Sequence, residues 1–328
     1  MNKRLATCLA LLIAAPFLVS APIAWGAGTE APYPTRPISV IVPWAPGGAA
    51  ELPIRVVTEF LAKEWGHPIN IENKPGGNTL TGSFALMRSA ADGYTLMADS
   101  PGSSSLQAGL PEKLPFNIED RTFVAQVSTS PMVYYAKAGS PWNSLKDVAE
   151  AAKSNPAKFS AGRLGAGSLV DLCMMQFLTD ARVDVSKIKL VAFKGSSEVA
   201  TAIAGGHIQF ACSGPGTIIS FVASKTVKPL GVTGTNRVEV WPDTPTAIEQ
   251  GFSSVRATLW NGISGPKGLP ATVTDKWAKG IEKALKDPGV VAKIKKLGST
   301  AQFVGPDPFR QAVLEEIRQA KKFFGGSK

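Results

Sequence analysis

The sequence predicts an α/β protein of two lobes, each a doubly wound sheet with helices on both faces, closing on a cleft between them. Three observations point there: a strand–loop–helix unit that recurs six times, loops in those units rich in Gly and Ser, and breaks in the pattern near residues 128 and 234. Strands alternating with helices favour parallel sheets. In such sheets the strand-to-helix loops emerge at one edge, and ligands bind in the crevice outside the carboxyl ends of the strands.

The first unit contains VIVPWAPGGAAELPIRVV, residues 40–57. Ile38 to Val42 is short, apolar and β-branched, as in a strand buried on both faces. After Glu51, the residues Leu52, Val56 and Phe60 recur four apart with Arg55, Glu59 and Lys63 between them, the pattern of a half-buried helix. Pro53 falls in the first turn of that helix, where a missing N–H costs nothing, and its neighbours keep donors that no helix carbonyl uses. Gly47 and Gly48 allow a sharp turn and close approach of a bound group to the main chain. Free amides at the positive end of a helix dipole suit a small anion, although a single such stretch also fits an ordinary turn.

Five further units strengthen the functional reading. Strands are expected at Ile69–Glu72 before NKPGGNTLTG, at Tyr94–Ala98 before DSPGSSS, and near Phe159–Ala161 before GRLGAGS. Two more lie at Leu190–Ala192 before FKGSS and at Ile208–Ala211 before CSGPG. Three units end near Ser128, where STSPMVYYAK looks like a crossing strand with Pro131 at its start. The next three end near Val232, where GVTGTNRVEVWPDTPTAIEQGF breaks the pattern. The remainder, a strand near Val255–Trp260 and helices around Asp275–Leu285 and Phe309–Phe323, would complete the first lobe. Residues 33–128 plus 234–328 are thus expected to form one lobe and 129–233 the other. Two crossings give the geometry of a hinged clamp.

Lys3 and Arg4, an apolar stretch from Leu5 to about Val19, and the small residues Ala24 and Gly26 read as a cleavable signal peptide over residues 1–26. Cys8 precedes most of the apolar stretch, which argues against a lipid-attachment cysteine. The expected product is exported to the periplasm. Without Lys3 and Arg4, 33 basic residues face 25 acidic ones, a net charge of +8 that favours anions without choosing among them. Lys276, Lys279, Lys283 and Lys286 share one helix side, a solvated face by default. Cys173 and Cys212 could pair in an oxidising compartment or remain as two buried thiols.

Enzymatic signals are missing. There is no G-x-S-x-G elbow, no complete dinucleotide fingerprint and no G-x-x-x-x-G-K-[ST] loop, and His67 and His207 have no neighbours suggesting a triad or a metal site. Basic residues are not interleaved with aromatics as a nucleic-acid groove would require. No catalysis, cofactor, metal or nucleic-acid partner is expected.

YPTRPISVIVPWAPGG, NKPGGNTLTG, DGYTL (92–96), FKGSSEVATAIAGGHIQF (193–210), GVTGTNR, PDTPTAIEQGF and WNGISGPKGLP occur in order. On these the chain resembles the Bug-type periplasmic solute-binding proteins of tripartite tricarboxylate transporters, from about Tyr33 to the last helix. The resemblance implies a type II-like periplasmic-binding-protein fold, monomeric, whose lobes close over a small carboxylate, a dicarboxylate or an aromatic carboxylate. It implies delivery to inner-membrane permease subunits. It also implies that the first loop and the loop after the third strand hold one carboxylate, partly through water, while loops of the second lobe vary with the ligand.

Residues expected at the cleft are Trp44, Gly47, Gly48, Ala49, Ala50 and Glu51 of the first loop, Asn78 of the second, and Ser100 and Ser103 of the third. The second lobe would add Arg163, Gly167, Ser168, Lys194 and Ser213. Two departures from the family pattern stand out. Relatives often have G-G-S-T-D where this chain has Gly47, Gly48, Ala49, Ala50 and Glu51, so two hydroxyl donors are lost and backbone amides, waters and Ser100 or Ser103 must compensate. Glu51 either faces away as a first-turn acid, the favoured placement, or meets a hydroxyl or amine of the ligand. Arg163 replaces a small residue and is expected to clasp a carboxylate rather than lie on the surface. Trp44 is either a wall for the ligand or part of its loop's core. Two other functions stay open beside the transport receptor: a component that presents its ligand to a sensor kinase, and an enzyme on the same scaffold.

Overall fold

A computed structural model describes residues 33–325; the expected signal peptide and Cys8 lie outside the described residues. In chain order the first elements are β1 (Ile38–Val42), α1 (Leu52–Trp65), β2 (Ile69–Asn73), α2 (Leu80–Met87), β3 (Thr95–Asp99) and the short α3 (Ser105–Gly109). Next come β4 (Thr122–Pro131), β5 (Val133–Lys137), α4 (Leu145–Ser154), β6 (Ser160–Arg163), α5 (Leu169–Asp180), β7 (Lys189–Ala192), α6 (Ser196–Gly205), β8 (Phe210–Ser213), α7 (Pro215–Ala223) and β9 (Val227–Val232). The last are β10 (Thr258–Gly265), α8 (Ala271–Ala284), α9 (Pro288–Lys296), β11 (Thr300–Val304) and α10 (Pro306–Gly325).

All six repeated units are present, and they fall into two sheets, β11-β4-β10-β3-β1-β2 and β7-β6-β8-β5-β9. Each sheet contains the same parallel core, in which the first strand of a unit trio lies between the second and third: β2-β1-β3 in one, β7-β6-β8 in the other. The sheets are mixed rather than wholly parallel, because β10 pairs antiparallel to β3 and β5 antiparallel to β8. The reason lies in the crossings. Each of these two strands arrives from the opposite lobe, so it enters its sheet at the cleft edge, where the parallel strands end. The chain changes sheets between Pro131 and Val133, with Pro131 closing β4 rather than opening a strand. It returns between Val232 and Thr258, and on the way Val238, Ala247, Phe252 and Val255 pack into the apolar clusters around the second sheet.

Helix α1 shows how a pattern can be right in period and shifted in phase. Its buried stripe is Ile54, Val57 and Leu61, while Leu52, Val56 and Phe60 are half-buried. Leu52 is used elsewhere, since its Cδ1 lies 3.3 Å from where a Cβ on Gly216 of the other lobe would be. Pro53 sits in the first turn and Gly66, at φ 70°, ends the helix in the left-handed conformation that glycine adopts without strain. The strand expected near Val255–Trp260 is β10, which begins at Thr258, three residues later, and α4, α9 and β11 complete the layers. Cys173 on α5 and Cys212 on β8 are fully buried free thiols, and burial pushes the Cys212 thiol well up.

Candidate functional site: the cleft between the lobes

The loops that follow β1, β3, β6, β7 and β8 meet at the seam between the sheets, around a cavity of about 50 Å³. Among the residues expected there, Trp44, Gly48, Ala49, Ala50, Ser100 and Ser168 line it. Gly102, Met132, Leu164, Leu169, Val170, Ser196, Gly214 and Leu259 line it as well. Gly102, Leu164, Ser196 and Gly214 come from the Gly/Ser loops already singled out, so loop composition was a sufficient signal for them. Met132 and Leu259 sit at the crossings, and only the topology brings them to the cleft.

In the first loop, Glu51 is the N-cap of α1 and just 2% exposed. It does not line the cavity and does not face solvent. Its carboxylate turns back into the loop, where it accepts the Gly47 amide at 3.1 Å, the Asn73 side-chain amide at 3.0 Å and Arg55 Nε at 3.2 Å, and pairs with Arg55 Nη2. The amide of Ala49 donates across the seam to Thr217 Oγ1 at 3.0 Å, and that of Glu51 to the Gly48 carbonyl at 2.9 Å. The amides of Gly48 and Ala50 have no acceptor among the described residues. They are the donors this loop offers to the cavity, at the positive end of a helix of 14 residues.

The loop after β3 rests on a buried ionic network. Asp99 Oδ1 accepts the Ser103 hydroxyl at 2.6 Å and the Ser100 amide at 3.0 Å, and both Asp99 oxygens accept Ser104 Oγ at 2.9 Å. Arg121 faces it with Nη1 3.4 Å from Oδ2, both side chains wholly buried, and donates to the Ser103 carbonyl at 3.0 Å. Burial pulls the Arg121 guanidinium below its ordinary range, with Asp99 opposing. Beneath, Glu316 of α10 accepts Ser105 Oγ and the Trp260 indole N–H at 2.5 and 2.8 Å. Burial raises its carboxyl above the ordinary value, the two hydrogen bonds working against that and Asp99 adding to it. Ser103 is therefore spent inside the lobe, while Ser100, whose oxygen caps the turn at Ser103, lines the cavity and has a hydroxyl hydrogen to offer it.

In the second lobe Arg163 does not reach the cavity: its Nη2 lies 2.6 Å from Oδ2 of Asp171. Asp171 also accepts the amides of Leu164 and Gly165 at 3.0 and 3.2 Å and the hydroxyl of Ser168, the N-cap of α5. The arginine expected to clasp a ligand thus braces the loop instead, because an acid in the first turn of α5, at the far end of that loop, holds it. Lys194 is exposed, its amide donating to Glu198 at 3.0 Å, and the Ser213 hydroxyl donates to the Gly214 carbonyl at 3.2 Å. Neither lines the cavity, and nor do Gly47 or Gly167.

Lobe-to-lobe contacts close the seam. Ser197 Oγ donates to the Pro46 carbonyl at 2.7 Å, and Asn78 Nδ2 donates across to the Ala166 carbonyl while also donating to Gln107 of its own lobe. Asn78 and Thr79 hold φ values of 49° and 76°, a conformation uncommon outside glycine that Asn tolerates best. Gly195 and Gly214 have functions that size alone explains: a Cβ would lie 2.7 Å from Ala45 Cβ at the first and 2.3 Å from Ala49 Cβ at the second.

Two lobes, each with a βαβαβ core, meeting at loop-lined ends around a cavity, define a binding protein of the periplasmic-binding-protein class. Residues 54–323 match the tripartite tricarboxylate transporter family receptor, and the chain belongs to that family. Protein BugT of Bordetella pertussis is 28% identical over 303 residues, 89% of this chain and 91% of that one. The periplasmic binding protein BugD is similar in structure, with a TM-score of 0.83 and 26% identity over 90% of this chain and 98% of its own. MatC from Rhodopseudomonas palustris with bound malate gives 0.82 and 26% over 89% and 100%.

Proposed function

We propose that the protein is a periplasmic receptor that captures a small carboxylate between its lobes and hands it to the membrane permease of a tripartite transporter, with no catalytic step. The observation carrying this reading is the pair of open amides, Gly48 and Ala50, beside the Ser100 hydroxyl at a seam that the second lobe covers. Hydrogen bonds from amides to an ionised carboxylate are charge-assisted and strong once water is excluded. Family membership and the malate of MatC support the same ligand class.

Capture then follows from the geometry. With the lobes apart, a carboxylate takes the first-lobe donors. Closure about the crossings at Met132 and residues 233–257 brings the second lobe over it, and only a ligand touching both lobes favours the closed form. Native mass spectrometry of protein from the periplasm, followed by a thermal-shift screen of carboxylates, tests this. A ligand at a hundred times its dissociation constant should add about 2.7 kcal/mol of stability. Loss of uptake of that compound on deleting the gene tests the transport step. A co-purifying compound without a carboxylate, or turnover of the bound compound, would refute the proposal.

A further inference from the structure

We infer that the ligand carries one carboxylate on an apolar body and no second anionic group, an inference that rests on the receptor reading above and narrows it. The helix ends around the cavity are the natural seats for anionic groups, and at three of the four the protein's own acid already stands, taking amides of the loop that leads into the helix. At α1, Glu51 takes the Gly47 amide and the nearby Arg55. At α5, Asp171 takes the amides of Leu164 and Gly165 together with Arg163. At α6, Glu198 accepts the Lys194 amide at 3.0 Å. The fourth, α7, starts with Pro215, which has no N–H, and its Thr217 amide donates to the Gly214 carbonyl.

Two arginines on the loops and helices that border the cavity are thereby neutralised, and no charged side chain lines the cavity. Away from Gly48, Ala50 and Ser100 its walls are mostly apolar, with Met132, Leu164, Leu169, Val170, Leu259 and Trp44; of the two other serines there, Ser168 is engaged by Asp171 and Ser196 adds one neutral hydroxyl. A distal carboxylate would have to leave water for these side chains, or use the first-turn amides of α5 or Ser196 at the start of α6 and there face the Asp171 or Glu198 charge. Burial without a partner and a like charge nearby both disfavour an ionised group. An apolar distal end meets neither cost.

The test is calorimetric titration with three pairs that differ by methyl for carboxylate: butanoate and succinate, hexanoate and adipate, 4-methylbenzoate and terephthalate. In the pair whose size fits, the monocarboxylate should bind at least tenfold tighter. A dicarboxylate that binds as tightly as its partner, or more so, overturns the inference and leaves the receptor reading standing. Binding of none of the six overturns it too, and a co-purifying non-carboxylate would then bring down the receptor reading as well. The preference should shrink in Asp171→Asn and in Glu51→Gln, variants on opposite lobes, so that one decides if the other fails to fold. A preference unchanged in a folded variant would overturn the role given to the protein's own acids.

Discussion

In the first lobe, the loop after β3 stands on charge, with Asp99 and Arg121 buried face to face and Glu316 below them. In the second lobe the corresponding floor is made of rings. Tyr134 stacks on Phe210 with centroids 5.7 Å apart, Phe177 lies 5.3 Å from Phe210, and the Tyr134 hydroxyl donates to the Cys173 carbonyl at 2.6 Å. The strand order is shared, so the sheet does not dictate the choice. The difference follows the loops. The loop after β3 is a run of serines whose amides and hydroxyls need a central acceptor, and a buried acid needs a buried base. The loop after β6 is braced by Asp171 at its rim, which leaves the sheet beneath free to pack apolar groups.

The largest effect should come from breaking the charged floor. Asp99→Asn leaves the Arg121 guanidinium buried without its counter-charge, a loss of about 3–5 kcal/mol. Phe210→Leu, in the aromatic floor, removes contacts but no charge and should cost about 1–2 kcal/mol. Denaturant unfolding of both variants measures the contrast, and equal losses would mean that the two floors work alike.

Closure is the next element of the comparison, because it needs both lobes. Gly214→Val places side-chain atoms where Ala49 and Leu259 pack across the seam, 2.3 and 3.0 Å from the would-be Cβ. Overpacking of about 1–3 kcal/mol against the closed form alone predicts roughly a tenfold to hundredfold weaker ligand affinity. Unfolding of the empty protein should change less. X-ray scattering of wild type and variant with saturating ligand gives the check: a variant that compacts as wild type does would remove Gly214 from the closure.

The smallest effect is in pH dependence, and it separates the floors by kind. The Glu316 carboxyl is held above its ordinary value of 4.5, chiefly by burial. Below that value both folded and unfolded chains carry the proton and there is no penalty. Above it the unfolded chain releases the proton first, so stability falls until the pH passes the raised folded value. Glu316→Gln should therefore flatten the decline of the melting temperature from pH 4 towards neutrality, whereas Phe210→Leu should lower the curve without changing its slope. Parallel curves for wild type and Glu316→Gln would show that this carboxyl is not what titrates.

Much of the molecule was legible in the sequence. Local chemistry is enough to mark a β-branched run as strand, a first-turn proline as helix start, and a Gly/Ser loop between them as a cleft loop, and β1, α1 and all six loops follow from it. The family and its two-lobed fold were legible as well, since ordered motifs run through most of the chain. Partners in space were not. Arg163 and Glu51 each had an open choice of counter-charge, and sequence shows only that an arginine or an acid stands on a loop. Folding brought Asp171 to the first, because the loop after β6 turns back so that the first turn of α5 lies beside the strand end, and Arg55, Asn73 and the Gly47 amide to the second, because the helix turn places residues four apart side by side and the sheet places Asn73 next to the end of β1. Met132 and Leu259 reached the cleft because each adjoins a strand that crosses between lobes. Spacing along the chain fixes which donors a loop has; tertiary structure decided which of them remain free, since a charge is satisfied by whatever lies within about 3 Å of it and not by its sequence neighbours.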